Sequence, residues 1–239
     1  MATSVGGRAP ALYRAERGRY PAAGPPPHVD MTTQRIDRRS HWQNVYRTRR
    51  VDAVSWYQPH LHVSLQLLAQ AGLSARSRLI DVGAGASTLV DDLLDQGLRD
   101  VSVVDVSAEA LALARLRLGA RANRVTWYAG DILELALPCG SFDFWHDRAV
   151  LHFLTDPEDA ARYAHIAANA LAAGGHAVIA GFAPQGPDRC SGLPVAQRSA
   201  RDIAALFAPA FVLEQERTEQ HHTPGGADQS FSYALLRRC

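Results

Sequence analysis

Two glycines one residue apart, Gly83 and Gly85, follow the apolar run Leu79-Ile80-Asp81-Val82, with Ala84 between them and Ala86-Ser87-Thr88 behind. Glycines at a strand-to-helix turn let the backbone pass tightly and bring its N–H groups against a ligand. The helix that follows adds a partial positive charge. An acidic side chain just before the turn, Asp81, suits a cationic ligand and sits badly with a pyrophosphate. The dinucleotide fingerprint G-x-G-x-x-G needs a third glycine for close helix–strand packing, and the branched Thr88 holds that place. Asp105 closes a second apolar run, Val101-Ser102-Val103-Val104, and Val106 follows it. It lies about 20 residues beyond the glycines, the separation at which a carboxylate accepts hydrogen bonds from ribose hydroxyls. A third run, Val125-Thr126-Trp127-Tyr128, leads into Ala129-Gly130-Asp131-Ile132. A fourth, Phe142-Asp143-Phe144-Trp145, delivers His146-Asp147-Arg148 at its end.

The step Asp81-x-Gly83-x-Gly85 resembles motif I of the class I S-adenosylmethionine methyltransferases, whose common third glycine is Ser87 here. Asp105, the Gly130-Asp131 step and the Ser141–Arg148 strand resemble the family's next three landmarks, in its order and at its spacing. The resemblance spans residues 74–238. It implies an α/β fold with a doubly wound seven-stranded sheet, order 3-2-1-4-5-7-6 with strand 7 antiparallel. It also implies S-adenosyl-L-methionine as cofactor and S-adenosyl-L-homocysteine as product. By the same resemblance, Gly83, Ala84 and Gly85 approach the methionine part and Asp81 takes its ammonium. Asp105 with Val106 holds the ribose, Gly130, Asp131 and Ile132 flank the adenine, and Asp147 contacts the methionine moiety.

The elements that must position these residues are legible from periodicity. Strand–helix alternation from residue 74 onward, with helices over Thr88–Gln96, Ala108–Gly119, Pro157–Ala172 and Ala200–Phe207, gives a parallel sheet. Gly174-Gly175 is expected to end the third of these helices and to feed a strand over His176–Phe182. Phe211–Glu219 and Gln229–Arg237 alternate as two antiparallel strands across Thr223-Pro224-Gly225-Gly226. Ahead of the sheet, Ser40 can cap a short helix with Trp42 and Tyr46 on one face, and Pro59 suits the start of another that stops at Gly72. The expected organisation is a disordered extension over 1–38, a helical lid over 39–73 and the cofactor-binding domain over 74–239. Residues 1–30, rich in Gly and Pro, bury too little apolar surface to offset their ordering entropy. Met31 is then a candidate biological start, and an Arg-rich targeting peptide is the alternative.

The acceptor side is expected at the end of the fourth strand, under the lid and in the loop after the fifth strand. Trp42, Trp56, Tyr57, Arg148 and Cys190 are its candidate residues. Tyr46 belongs with the cofactor, since aromatic rings attract a sulfonium. The same aromatic set reads equally as a packing seam for the lid. His146 and His152 are candidate bases because histidine titrates near neutrality, or else hydrogen-bonded structural histidines. Cys190 reads as a small buried residue or as a soft ligand beside a sulfur or metalloid acceptor. His221-His222 reads as a solvated turn or a metal site; no metal-ligand cluster stands out. Methyl transfer from a sulfonium needs positioning and exclusion of water more than a nucleophile of the protein's own. Trp145-His146-Asp147-Arg148 loosely resembles the strand-four motif of thiol and thiopurine methyltransferases, which points to a small thiol or chalcogenide acceptor. The alternatives are a protein lysine and a non-catalytic S-adenosylmethionine-binding protein. No Asn/Asp-Pro-Pro-Tyr-like motif follows the fourth strand, which weighs against amino groups of adenine or glutamine as acceptors.

Composition narrows the classes further. The chain has 239 residues, 47% hydrophobic and 21% charged, with a formal net charge of +1. So even a balance projects no field toward nucleic acid or an anionic membrane, and neither is expected as a partner. Three scattered cysteines without C-x-x-C spacing suit a reducing cytoplasm rather than a disulfide framework. A monomer or homodimer acting on a small molecule is the expectation.

Overall fold

The computed structural model describes Met1 and residues 37–239. The expectations for residues 2–36, disorder, a start at Met31 and the targeting alternative, lie outside the described residues, whereas Asp37 and Arg38, expected in the disordered extension, cap and begin the first helix. In chain order the elements are α1 (Arg38–Thr48), α2 (His62–Gln70), β1 (Arg78–Val82), α3 (Leu89–Asp95), β2 (Asp100–Asp105), α4 (Ala108–Leu118), β3 (Val125–Ala129) and β4 (Phe142–Arg148). There follow α5 (Pro157–Ala170), β5 (Leu171–Phe182), the two-residue strands β6 (Arg189–Cys190) and β7 (Leu193–Pro194), α6 (Ala200–Phe207), β8 (Phe211–His222) and β9 (Asp228–Arg238).

Seven strands form one sheet in the order β3-β2-β1-β4-β5-β9-β8. Strands β1 to β5 pair in parallel, and β9 runs antiparallel to both β5 and β8. With β6 and β7 set aside as a separate small hairpin, this is the expected order with the seventh strand reversed. The strands read as continuous apolar runs because both faces are covered. Leu79, Val101, Val103, Phe144, Val178 and Phe182 join one core with α2 and α3. Their neighbours Ile80, Val82, Val104, Trp145 and Ile179 join the other with α5 and α6.

Three boundaries differ from the sequence reading. The N-cap of α1 is Asp37, whose carboxylate accepts from the Ser40 N–H and hydroxyl, so Ser40 lies inside the first turn instead of capping it. The second helix begins at His62, three residues beyond Pro59, and ends before Gly72 at φ +87°. The Gly174-Gly175 pair does not end a helix. Pairing of Leu171 with Phe142 starts β5 directly after α5, and the strand bulges over the glycines before His176 meets Phe144. A Cβ at Gly175 would press on the Ala172 and Asp143 carbonyl oxygens, which is why glycine serves there.

Candidate functional site

The glycine turn lies at the carboxyl end of β1, an inner strand between β2 and β4, where open α/β sheets hold their ligands. Both glycines take left-handed φ, +65° at Gly83 and +57° at Gly85. Ala84 N–H donates across to the Val104 carbonyl and Ser87 N–H back to Ala84, which pins the loop to β2. Above the turn the protein itself comes close. A Cβ at Gly83 would collide with the Val150 side chain, and one at Gly85 with the Tyr46 hydroxyl.

Asp105 ends β2 and is 7% exposed. Its Oδ2 accepts from Gly85 N–H at 2.8 Å and its Oδ1 from Ser107 N–H at 2.7 Å. Burial pushes its pKa up to about 6, and the two amide bonds hold it from rising further. From here a partly open cleft runs along the carboxyl ends of the strands. One end is lined by Val82, Val104, Asp105, Val106, Asp131 and Ile132. The guanidinium of Arg38 lies 3.5 Å from Asp131 and 2.9 Å from Asp159, tying the start of α1 to this end of the cleft.

The other end is walled by aromatic rings. Trp42 meets Trp56 edge-on at 5.6 Å and Phe153 at 5.1 Å, while His152 meets Phe153 at 4.3 Å and Phe182 at 4.9 Å. Phe231 joins because β9 pairs it with Phe182 at the end of β5. Arg148 lies over the Phe231 ring at 4.2 Å, donates to the Tyr233 hydroxyl and the Trp56 carbonyl, and faces Glu219 at 3.6 Å. His152 is pushed down to about 3, by burial first and then by the charges of Arg148 and Arg198, so its imidazole is neutral at pH 7. Cys190, also buried, is pushed up to about 12 and remains a thiol.

A second, smaller hollow that Tyr46 also lines is bounded by Tyr57, Gln58, Asp81, Gly83, Ala84 and His146 among others. Asp81 is 2% exposed. Its Oδ1 meets His146 Nδ1 at 2.7 Å, and its Oδ2 has no hydrogen-bond partner. The other ring nitrogen of His146 meets Ser64 Oγ at 2.8 Å.

The structure thus gathers Trp42, Tyr46, Trp56, Gly83, Asp105, Val106, Gly130, Asp131, Ile132, Arg148, His152 and Cys190 on the main cleft. Tyr57, Asp81, Ala84 and His146 line the smaller hollow. Gly85 lines neither and serves from behind through its N–H to Asp105. Two expectations are corrected. Asp147 is fully buried and lines neither cavity; its carboxylate accepts from Val150 N–H, Leu151 N–H and the Tyr163 hydroxyl, so it shapes the turn after β4 instead of touching a ligand. His146 has both ring nitrogens engaged by Asp81 and Ser64 and so orients Asp81 instead of serving as a free base. Cys190 lines the main cleft as a buried thiol whose pKa is raised by burial. Among the described residues no group of three or more His, Cys, Asp or Glu could hold a metal, and His222 pairs with Asp228 in the hairpin. Sequence reasoning missed Arg38, Val150, Phe153, Phe182 and Phe231. The first three flank singled-out stretches, whereas Phe231 becomes a wall only through the β5–β9 register.

A family model described as "Methyltransferase domain" matches residues 80–179. Among curated proteins, the chain is 27% identical over 120 residues to the eEF1A lysine and N-terminal methyltransferase of Bos taurus, a match covering 50% of this chain and 17% of that protein. The chain therefore spans under a fifth of the length of that relative. Among solved structures, the 1,6-didemethyltoxoflavin-N1-methyltransferase of Burkholderia thailandensis, with 1,6-didemethyltoxoflavin and S-adenosylhomocysteine bound, has TM-score 0.64 at 23% identity, over 84% of this chain and 86% of that one. The N-methyltransferase NodS of Bradyrhizobium japonicum, in complex with S-adenosylhomocysteine, has TM-score 0.63 at 21% identity, over 83% and 98%.

Proposed function

The chain carries a methyltransferase domain with the class I, S-adenosylmethionine-dependent fold, and on that premise we propose that it moves a methyl group to a small nucleophilic acceptor held in the aromatic end of the cleft. The observation that carries this reading is the continuity of the cleft. Gly83 of the glycine turn, Asp105 and the Trp42–Trp56–Phe153 wall line one cleft, so donor and acceptor would meet in a single space.

The residues present fit the cofactor. Asp81 Oδ2 is a buried acceptor without a partner, suited to an ammonium. Gly83 and Gly85 offer a turn with no Cβ in the way, Asp105 suits ribose hydroxyls, and Val104 with Ile132 offers apolar cover for a base. When bound, the cofactor supplies an already activated methyl on a sulfonium. The protein's task is then to align two reactants and strip water. Trp42, Tyr46 and Trp56 shield that space and present ring faces to a cation. His152, neutral and almost wholly buried, is suited to a hydrogen bond rather than to taking up a proton near pH 7. Cys190 takes no part beyond packing. The three cysteines are free, in line with a cytoplasmic monomer or homodimer as part of the same proposal.

Two of the structures with this fold hold S-adenosylhomocysteine, one beside a small acceptor, which supports the small-molecule side. Methylation of a protein lysine is the second reading, favoured by the curated relatives. The test is turnover of S-adenosylmethionine, read as S-adenosylhomocysteine formed, across small thiols, selenols, phenols, amines and carboxylates. Turnover with a small acceptor is the expected result. Silence across that panel, with labelled methyl appearing on lysates' proteins, would overturn it in favour of the second reading.

A further inference from the structure

Two buried donors in the aromatic end of the cleft lack a partner within the protein. The Arg148 side chain is 5% exposed, and its Nη2 makes no hydrogen bond: the nearest carboxylate oxygen, Glu219 Oε2, is 3.6 Å away and already takes the Tyr233 hydroxyl at 2.6 Å. His152 is 2% exposed, and its Nε2 likewise has no partner. The Phe182 N–H is directed at His152 Nδ1, at 3.5 Å. A backbone N–H is met by a lone pair, so Nδ1 is the acceptor of the neutral ring and the proton resides on Nε2. Leaving such groups unsatisfied when buried is costly, more so when they are charged. Both residues line the same cleft, among rings that present flat apolar faces.

Resting on the reading of the cleft as a methyl-acceptor site, we infer that the acceptor is a small aromatic or heteroaromatic molecule bearing an acceptor-only oxygen, anionic or carbonyl, which takes hydrogen bonds from Arg148 Nη2 and His152 Nε2. A carboxylate, phenolate or ring carbonyl meets two donors, with the Glu219 carboxylate at 3.6 Å from Arg148 Nη2 as the protein's own weaker partner. A protonated amine has nothing to offer either atom and brings its charge against a guanidinium. The carboxylates that do line the cleft, Asp105 and Asp131, stand at its other end, with the glycine turn. The aromatic walls select the flat body, and the two donors select the oxygen and turn the ring toward the methyl donor. His152 is therefore a positioning and recognition residue for the acceptor.

The test uses the full chain saturated with S-adenosylhomocysteine, with benzoate, salicylate and 4-nitrophenolate as probes against benzylamine. Binding is followed by tryptophan fluorescence, since Trp42 and Trp56 line the cleft. At least one oxyanion probe is expected to bind tenfold or more tighter than benzylamine. His152→Leu should weaken that probe at least tenfold, while His152→Gln, which keeps an N–H, recovers most of the affinity. Arg148→Met should weaken it further if the variant folds. Calorimetric affinity for S-adenosylhomocysteine stays level in the His152 variants. Equal or tighter binding of benzylamine, no binding of any oxyanion probe, or an unchanged affinity in His152→Leu overturns the inference and leaves the cofactor reading standing. Failure of the wild-type chain to bind S-adenosylhomocysteine overturns the cofactor reading instead, and this inference with it.

Discussion

At the scale of single residues, Asp105 faces two ways. It stitches the glycine turn to β2 through Gly85 and Ser107, and it presents a carboxylate to the cleft. Burial raises its pKa to about 6, and the same holds for Asp147. Both carboxyls bind protons more tightly in the folded chain than in the unfolded one. Their contribution to stability is therefore full below the ordinary carboxylate range and is lost as pH rises through about 6. Ligand hydroxyls act the other way, because they favour the ionised form. Affinity for S-adenosylhomocysteine should then fall as pH drops through about 6, with a proton released on binding near that pH. Asp105→Ala should cost about 1–3 kcal/mol of affinity and Asp105→Asn should flatten the pH profile. Calorimetry between pH 5 and pH 8 in buffers of different ionisation enthalpy reads both. A pH-independent wild-type affinity would refute the assignment. Asp105 was legible from its position at a strand end, but the use of Asp147 was not, since nothing in the string His-Asp-Arg reveals which side of β4 bends away to be capped.

At the scale of elements, the decisive contact is between α1 and the sheet. Arg38 in the first turn of the helix bridges Asp131 and Asp159 while remaining partly exposed. Asp159 is itself buried, so the pair is worth more than a surface one. Arg38→Ala should therefore lower the melting temperature modestly, speed amide exchange in α1, and weaken S-adenosylhomocysteine about twofold to fivefold. Hydrogen exchange by mass spectrometry, with and without that ligand, measures it. Protection of α1 that does not change would show that Trp42 and Tyr46 hold the helix unaided. The Trp42–Tyr46 spacing was readable as one face of a helix. The true cap was hidden because Asp37 and Ser40 both carry capping side chains, and only the backbone decides between them.

At the scale of the whole molecule, alternation and apolar runs showed the strands, helices and terminal hairpin, while the sheet order came from the family resemblance that the strand ends carry. What escaped was the consequence of register. Pairing of Phe182 with Phe231 brings the last hairpin to the cleft, and Glu219 on β8 reaches Gln58, Tyr233 and Arg148 from there. Residues far apart in sequence thereby hold one guanidinium in place. Tyr233→Phe removes a hydroxyl that accepts from Arg148 and donates to Glu219. It should raise the acceptor KM roughly tenfold, about 1.4 kcal/mol, with cofactor affinity unchanged. Steady-state kinetics with the acceptor varied at saturating cofactor tests this. A change confined to kcat would separate the hairpin from recognition.

Tyr46 and Val150 lean on Gly85 and Gly83 in the state described, so the turn that is shaped for a ligand is capped by the protein's own side chains. A ligand that takes their place on the turn needs them to swing out, a step with a rate of its own. In stopped-flow mixing, the observed association rate should climb with S-adenosylhomocysteine and then level off at the frequency with which Tyr46 departs, whereas an unobstructed turn would give a straight line. Tyr46→Ala should abolish the plateau. The same obstruction slows departure, so a product once enclosed would linger, and turnover would be timed by a swinging ring rather than by the transfer itself.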